Sequence, residues 1–290
     1  MINFIKKIFY PIGATLKYIQ NHFKAMVFVL ILFLIFAPAE EANLNPANLQ
    51  EIKLVGPIFD ATDVVEKINK ARDDVNIKGV LFDVNSPGGA VAPSIEIAHA
   101  IKRLKELKPV VVYASGSITS GSYYASIYSN EIVANPGSMV GSIGVVLQGA
   151  NVDELMDKIG IKTQSVQAGK YKKIGTADRA WEDYEVAELN KVINATYDMF
   201  TKDVADARGL DYAKRDVYAD AHIFTASQAK DVGLVDSLGV KYDAKKKVET
   251  LSGVIKPQWS KEDKFDKFMK KLTAQSVSSI HTYFPELTLR

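Results

Sequence analysis

The sequence contains no cysteine, which excludes disulfide bridges, a thiolate nucleophile and thiolate metal ligands. Histidine is also scarce. The four histidines are His22, His99, His222 and His281, and their spacing matches no metal-ligand motif. Neither glycine-rich phosphate motif, G-x-x-x-x-G-K-[ST] or G-x-G-x-x-G, is present, so nucleotide binding has no support. We therefore expect a protein that works without a metal or cofactor.

The sequence also lacks a strong excess of one charge. The formal net charge is +2, and the 36 Lys and Arg residues are dispersed along the chain. Because nucleic-acid-binding proteins concentrate basic residues on one face, we expect no nucleic-acid partner. The 290 residues and the 47% hydrophobic content are sufficient for one sizeable domain with additional segments.

Acidic residues are absent from the N-terminus as far as Glu40. Residues 1–24 are basic, and residues 25–39, AMVFVLILFLIFAPA, carry no charge, which indicates a segment that meets a bilayer. As a helix this run spans about 22 Å, short of the roughly 30 Å hydrocarbon core, so its length does not settle the topology. Ala37-Pro38-Ala39 has the form of a signal-peptide cleavage site, but the long segment before it favours an uncleaved anchor.

Such an anchor predicts a single-pass protein of the cytoplasmic membrane. Residues 1–24 would stay in the cytoplasm, and residues 40–49 would link the anchor to an extracytoplasmic or periplasmic domain. Residues 251–290 form a C-terminal tail in which apolar side chains recur at helical spacing. This amphipathic tail is expected to lie on a membrane surface, on a partner subunit or on its own domain.

Short apolar runs alternate with helical patterns over residues 50–250. The segments EIKLVGPI, KGVLFDVN, PVVVYAS and KTQSVQ (residues 162–167) predict strands, and residues 181–208 predict a long helix. This alternation favours an α/β domain with a mostly parallel, buried sheet. In such domains the loops at the carboxyl ends of the strands usually form the site.

The segment SITSGSYYAS, residues 117–126, follows the strand PVVVYAS and contains four serines. Ser120 precedes Gly121 at a predicted junction of strand and helix, where backbone N–H groups can stabilise an oxyanion. Ser117 and Ser122 are alternative nucleophiles, and helix capping is the alternative role of Ser120. A serine nucleophile also needs a base, and this segment contains none.

Two further segments contain groups that a serine enzyme needs. NSPGG, residues 85–89, follows a strand and precedes a helix, so its glycine N–H groups could point at an anionic oxygen. AGKYKKIGTADR, residues 168–179, places three lysines within four positions. Adjacent lysines are typical of a solvated turn, but a lysine that is desolvated can act as a base.

Together these segments resemble the bacterial signal peptide peptidase A family, also called protease IV, in its short single-domain form. The resemblance covers residues 50 to 245 and rests on NSPGG, SGSYYAS, GSIGV (residues 141–145) and GKYK (residues 169–172). It implies a ClpP/crotonase-like fold, a spiral of ββα units, and a serine-lysine dyad in place of a triad.

The resemblance also implies a role for particular residues. The catalytic residues would be the nucleophile Ser120 and the general base Lys172, and Ser142 would help to position the lysine. The oxyanion donors would be the N–H groups of Gly121 and of either Gly88 or Gly89. The family commonly has glycine where this chain has Ser122, which puts in question the shape of the pocket and leaves the mechanism intact.

The resemblance further implies peptide substrates, namely signal peptides that remain in the membrane after secretion. Family members assemble into rings in which one subunit's serine meets its neighbour's lysine, so a homo-oligomer with shared sites is expected. Three alternatives stay open: a serine-lysine protease with one integral membrane partner, a catalytically inactive membrane scaffold, and an acyl-CoA hydratase or isomerase on the same fold.

Overall fold

The computed structural model describes residues 17–32 and 46–260. The chain divides into two units, one of which is Pro46–Ser260. Of the other unit, residues 17–32 are described, and they form helix α1. Within these two described ranges, no helix combines the length and the apolarity needed to cross a bilayer.

The predicted anchor, residues 25–39, coincides only in part with described residues. Residues 25–32 belong to α1, whereas residues 33–39 lie outside the described part of the chain. Residues 261–290 of the predicted amphipathic tail (residues 251–290) also lie outside it, because the description ends at Ser260. The anchor and the membrane contact of the tail therefore stay predictions.

The Pro46–Ser260 unit is built on one sheet. Its parallel strands are β1 (Leu49–Val55), β2 (Gly79–Ser86), β3 (Val110–Thr119), β4 (Glu131–Ala134) and β7 (Ser237–Leu238), in the spatial order β1-β2-β3-β4-β7. Two short strands branch from this path, β5 (Met139–Gly141) and β6 (Ile223–Thr225). Strand β5 pairs in parallel with the end of β3, and β6 pairs antiparallel to β5.

Helices connect and cover these strands. Their bounds are α2 (Thr62–Asp73), α3 (Val91–Lys105), α4 (Gly121–Ser126), α5 (Asp153–Lys158), α6 (Asp183–Arg208), α7 (Arg215–Tyr218), α8 (Ala226–Asp231) and α9 (Lys241–Ser252). A 3-10 turn at Tyr212–Lys214 precedes α7.

Side chains alternate across the central strands, and both faces of the sheet are covered. Phe82 of β2 belongs to the larger apolar core together with Ile101 of α3. The next side chain back along β2, Leu81, belongs to a second core with Val248 of α9. Burial on both faces explains why β2 and β3 read as nearly continuous apolar runs.

The expected α/β domain with a mostly parallel sheet is confirmed. The strand predicted at residues 162–167 is wrong, because this segment is exposed and has no regular structure. An isolated extended segment has no neighbouring strand to satisfy its backbone groups. The sequence analysis also missed β4 and β6, which are too short to show a recognisable period.

Candidate active site

Ser120 lies in the turn between β3 and α4, and its backbone is strained. Its φ of 53° and ψ of −125° lie outside the regions that non-glycine residues favour. Such a conformation costs on the order of 1–3 kcal/mol. Its N–H donates to the Gly141 carbonyl oxygen at 2.7 Å, and its own carbonyl oxygen accepts the Tyr124 N–H at 3.0 Å. The turn thus presents a partly exposed serine at a helix start, as a nucleophile elbow does.

The NSPGG turn approaches Ser120 closely through Gly88. Gly88 has a φ of 92°, a left-handed conformation that glycine adopts without strain. A methyl group on Gly88 would lie 2.9 Å from Ser120 Cβ and 2.6 Å from the Gly121 nitrogen. Only glycine therefore allows the two turns to approach this closely.

Two backbone N–H groups beside Ser120 are available to bind an oxygen atom. The N–H of Gly88 is engaged, because it donates to Ser86 Oγ at 3.2 Å. Within residues 46–260, the N–H groups of Gly89 and Gly121 have no acceptor, and Gly121 opens α4, where the helix supplies none. A methyl group on Gly121 would lie 3.2 Å from the Gly89 nitrogen, so the two donors are close together.

The sheet topology brings these groups to one edge. Strands β2 and β3 are parallel neighbours, so the turns that follow them lie side by side. Thr119 at the end of β3 pairs with Gly141 of β5, which puts Ser142 close to Ser120. Ser142 has a φ of 50°, and its N–H donates to the His222 carbonyl oxygen at 2.6 Å.

Ser122 is fully buried, and its hydroxyl joins the two turns. The Thr119 N–H donates to Ser122 Oγ at 2.9 Å, and Ser122 Oγ donates to the Ser86 carbonyl oxygen at 2.7 Å. The residues that line the cavity beside Ser120 do not include Ser122. Its hydroxyl therefore holds the backbone of the two turns and does not shape that cavity.

An apolar cavity of about 110 Å³ opens beside Ser120. Most of its lining is apolar and comes from α3, α4, α6, the GSIGV segment and the residue that follows it: Val91, Ile95, Tyr124, Val145, Val146, Met199 and Phe200. The rings of Tyr124 and Phe200 lie 4.9 Å apart. Burial, together with a hydrogen bond to Asp203, raises the pKa of Tyr124, so its hydroxyl stays protonated and donates to that carboxylate.

Lys172 lies in an exposed loop between α5 and α6. No hydrogen bond joins Lys172 to Ser120 or Ser142 in the described part of the chain, and Lys172 does not line the cavity. One chain thus places Ser142 beside the nucleophile, whereas the described residues show no contact of Lys172 with Ser120 or Ser142.

The three lysines of this loop differ in their partners. The Lys170 ammonium lies 4.5 Å from the centroid of the Tyr184 ring, and Lys173 lies 3.8 Å from the Asp178 carboxylate. Among the described residues, the Lys172 side chain has neither an ion pair nor an aromatic contact. Of the three amines, that of Lys172 is the one left available.

A buried ion pair follows this loop, and the sequence analysis did not identify it. Arg179 donates to both carboxylate oxygens of Glu185, at 2.7 and 2.6 Å, and Glu185 is fully buried. The Arg179 guanidinium, followed by the Glu182 N–H, lowers the pKa of Glu185 from 4.5 to about 2. The only sequence signal is an arginine six residues before a glutamate at the start of a predicted helix.

None of the three described histidines lines the cavity. The ring of His99 lies 6.0 Å from that of Tyr128, and the ring of His222 lies 6.0 Å from that of Phe224. In residues 17–32 and 46–260, no group of three or more His, Asp and Glu side chains is arranged to hold a metal ion.

The sequence model of a family described as Peptidase family S49 matches residues 102–255 of this chain. A Methanocaldococcus jannaschii protein named as a protease is 42% identical, over 69% of this chain and 64% of that protein. A Synechocystis protein named as a protease is 35% identical, over 71% of this chain and 75% of that protein. An Enterococcus faecium protein named as a signal peptide peptidase is 32% identical, over 64% of this chain and 54% of that protein.

The alignments thus span less than two thirds of the Methanocaldococcus and Enterococcus proteins. Among solved structures, a ClpP1 mutant from Listeria monocytogenes aligns at a TM-score of 0.48 and 17% identity, over 67% of this chain and 93% of that chain. A TM-score below 0.5 does not establish a shared fold, so the ClpP/crotonase-like arrangement stays a prediction. The S49 match over more than half of the chain, together with the Synechocystis relative, shows that this chain belongs to peptidase family S49, the signal peptide peptidase A family of serine-type peptidases.

Proposed function

We propose that this chain is a serine endopeptidase in which Ser120 is the nucleophile. The observation that carries this proposal is the strained, partly exposed Ser120 turn beside an apolar cavity. Strained backbone of this kind clusters at active sites, where the surrounding structure maintains it. Membership of family S49 supports the same assignment.

The proposed oxyanion donors are the N–H groups of Gly121 and Gly89. The sequence leaves Gly88 and Gly89 equivalent, but the hydrogen bond from Gly88 to Ser86 Oγ favours Gly89. The Gly89 N–H has no acceptor within Pro46–Ser260 and lies close to that of Gly121. Two such preorganised donors stabilise the charge that develops on a tetrahedral intermediate.

Lys172 is the proposed general base, and we propose that it serves a neighbouring subunit. Its side chain is exposed and has no partner among the described residues, whereas Lys170 and Lys173 are engaged. A lysine acts as a base only when it is desolvated. Contact with another subunit of a ring would bury this amine and complete the site.

The reaction then follows from these positions. Neutral Lys172 accepts the Ser120 proton as Oγ attacks a peptide carbonyl, and the N–H groups of Gly89 and Gly121 bind the oxyanion. The lysine next protonates the departing amine, which leaves an acyl-enzyme on Ser120. Water attacks this ester while the lysine accepts its proton. The lysine then returns that proton to Ser120 Oγ as the peptide acid leaves, which restores the free serine and the neutral amine.

We propose remnant signal peptides as substrates, released from secreted precursors and still in the membrane. The apolar lining of the cavity supports this class, because it fits an apolar side chain next to the scissile bond. We also propose that residues 25–39 anchor the protein in a bacterial cytoplasmic membrane, with the catalytic domain on the outer side. Exposed Phe23, Phe28 and Val29 on α1 support a bilayer-facing segment.

A fluorophosphonate probe tests the proposal, because it reacts with activated serines. We expect labelling of the peptide that contains Ser120, no labelling of the Ser120→Ala variant, and normal labelling of the Ser117→Ala control. The same variants are then given several unrelated synthetic signal peptides in detergent micelles. If the probe labels Ser120 but none of the signal peptides is cleaved, the result would favour a protease with a single membrane partner. If the probe does not label Ser120 and no peptide is cleaved, the result would favour an inactive scaffold.

A further inference from the structure

Tyr184, in the first turn of α6, and Arg179, just before that helix, hold the Lys172 loop from both sides. On one side, the Tyr184 hydroxyl donates to the Lys170 carbonyl oxygen at 3.4 Å. On the other side, Arg179 donates to the Lys173 carbonyl oxygen, also at 3.4 Å. Lys172 therefore lies between two backbone positions that are both tied to the region where α6 begins.

The Arg179–Glu185 ion pair is the centre of this attachment. Two parallel hydrogen bonds of 2.7 and 2.6 Å fix the relative orientation of the guanidinium and the carboxylate. Glu185 Oε2 also accepts the Glu182 N–H at 3.0 Å, and Arg179 also donates to the Ala180 carbonyl oxygen at 2.9 Å. One arginine thus joins the residue next to Lys172 to a buried side chain of α6.

The part of the loop that leads up to Lys172 makes few contacts with the rest of the domain. Residues 161–170 are exposed throughout and contain no strand or helix, and the Val166 side chain is fully exposed. A loop with so few contacts samples many conformations, and ordering it has an entropic cost. Farther along the loop, the Val152 N–H donates to the Ala177 carbonyl oxygen at 2.8 Å, and the Trp181 indole donates to the Thr176 carbonyl oxygen at 3.0 Å. The two contacts on either side of Lys172, at Lys170 and Lys173, are the ones that come from Tyr184 and Arg179.

We propose that Arg179 and Glu185 are positioning residues for the general base. By fixing the loop before substrate binds, the pair lowers the entropic cost of placing the Lys172 amine at the serine it serves. This inference rests on the proposed function, because it assigns a role toward the base of that reaction. Neither residue contacts the reacting atoms.

A purely structural role for the pair makes different predictions. If Glu185 only stabilised the start of α6, its loss would lower the unfolding temperature and leave the turnover of the folded enzyme unchanged. If it positions Lys172, its loss lowers kcat, leaves KM nearly unchanged and increases hydrogen exchange in residues 168–176. These readouts separate the two roles.

The test compares Glu185→Gln with Glu188→Gln in the full-length chain. Glu188 is a matched control, because it lies on the same helix and forms an exposed ion pair with Lys191 at 2.7 Å. We expect Glu185→Gln to lower kcat by about 10-fold to 100-fold with KM within about twofold, since small misplacements of a catalytic group have effects of this size. Glu188→Gln should match the wild type, and a charge-exchanged Arg179→Glu/Glu185→Arg variant should recover part of kcat.

Equal kcat values for the two glutamine variants would overturn the inference. If Glu185→Gln does not fold, Arg179→Lys tests the same role with a smaller perturbation. Lysine keeps the positive charge but cannot form the bidentate hydrogen bonds that Arg179 makes to Glu185. An unchanged kcat in folded Arg179→Lys, with unchanged exchange in residues 168–176, would also overturn it. Activity of Ser120→Ala, in contrast, would refute the proposed function itself.

Discussion

Ser122 Oγ lies 2.7 Å from the carbonyl oxygen of Ser86 and donates a hydrogen bond to it. This contact joins the turn after β2, which contains Gly88 and Gly89, to the turn that contains Ser120. Both serines are fully buried, so water cannot replace the hydrogen bond if it is lost. The family commonly has glycine at the position of Ser122. The hydroxyl that this chain has there therefore connects the two turns that supply the proposed oxyanion donors.

Ser122→Ala should lower the free energy of unfolding by about 1–3 kcal/mol, because the buried Ser86 carbonyl and Thr119 N–H each lose a hydrogen-bond partner. Most of the activity should remain, since Ser120 is intact. Urea denaturation and a peptide-cleavage assay measure the two effects. The control is Ser126→Ala. Ser126 is also buried, and among the described residues its hydroxyl donates only to the Ser122 carbonyl oxygen of the same helix, at 2.8 Å. A greater loss of stability in this control would contradict the bridging role.

Lys172→Ala should abolish peptidase activity, whereas Lys170→Ala and Lys173→Ala should retain most of it. The physical reason is that Lys170 packs against the Tyr184 ring and Lys173 pairs with Asp178, which leaves Lys172 as the available amine. Initial rates on a fluorogenic peptide measure the effect, with circular dichroism to confirm folding. An essential Lys170 with a dispensable Lys172 would show that the base had been misassigned.

Mixing inactive subunits tests whether the site is shared. Co-assembled Ser120→Ala and Lys172→Ala chains should regain up to about a quarter of the wild-type activity. The subunit that supplies the serine and the neighbour that supplies the lysine are each of the right type about half the time. Native mass spectrometry confirms that both variants occur in one oligomer. A confirmed mixed oligomer without activity would indicate that each site is formed within one chain.

The Arg179–Glu185 pair predicts a dependence of stability on pH. The pKa of Glu185 is about 2 in the folded chain, lowered from 4.5 first by Arg179. A carboxylate with a lowered folded pKa contributes its full stabilisation above its unfolded pKa and loses it as the pH falls through the folded pKa. The difference in unfolding free energy between wild type and Glu185→Gln should therefore be constant above about pH 5 and disappear toward about pH 2.

Chemical denaturation at a series of pH values measures that difference. Glu188→Gln serves as the control, since its partner Lys191 is exposed and its ion pair contributes little. A difference for Glu185→Gln that stays constant down to about pH 2 would show that Glu185 is not held ionised by Arg179.

An uncleaved anchor predicts that protein isolated from its own cell begins near Met1 and fractionates with membranes. The reason is that residues 25–39 carry no charge and remain attached to the domain. N-terminal sequencing of the membrane fraction gives the result. A mature chain that begins at Glu40 would identify residues 1–39 as a cleaved signal peptide.

The sequence by itself determined the elements with strong local patterns. Strands β2 and β3 and helix α6 lie where apolar runs and helical spacing predicted them. For the strands the reason is that burial on both sheet faces imposes a continuous apolar pattern. The sequence did not determine whether short or unpaired segments form strands. Strand β4 exists because it pairs with β3 on one side and β7 on the other, and residues 162–167 have no such neighbour within the described chain.

For the site, the sequence singled out Ser120 and the glycines around it through their motifs. Only the structure distinguished Gly89 from Gly88, because it shows that the Gly88 N–H donates to Ser86 Oγ within the same turn, whereas the Gly89 N–H has no acceptor among residues 46–260. It also revealed the buried Arg179–Glu185 pair and the bridge from Ser122 to Ser86. Local periodicity reports which side chains are buried. The Ser122–Ser86 bridge forms only when the ends of the neighbouring strands β2 and β3 are brought to one edge of the sheet, and the Arg179–Glu185 pair forms only when the loop before α6 folds back onto that helix.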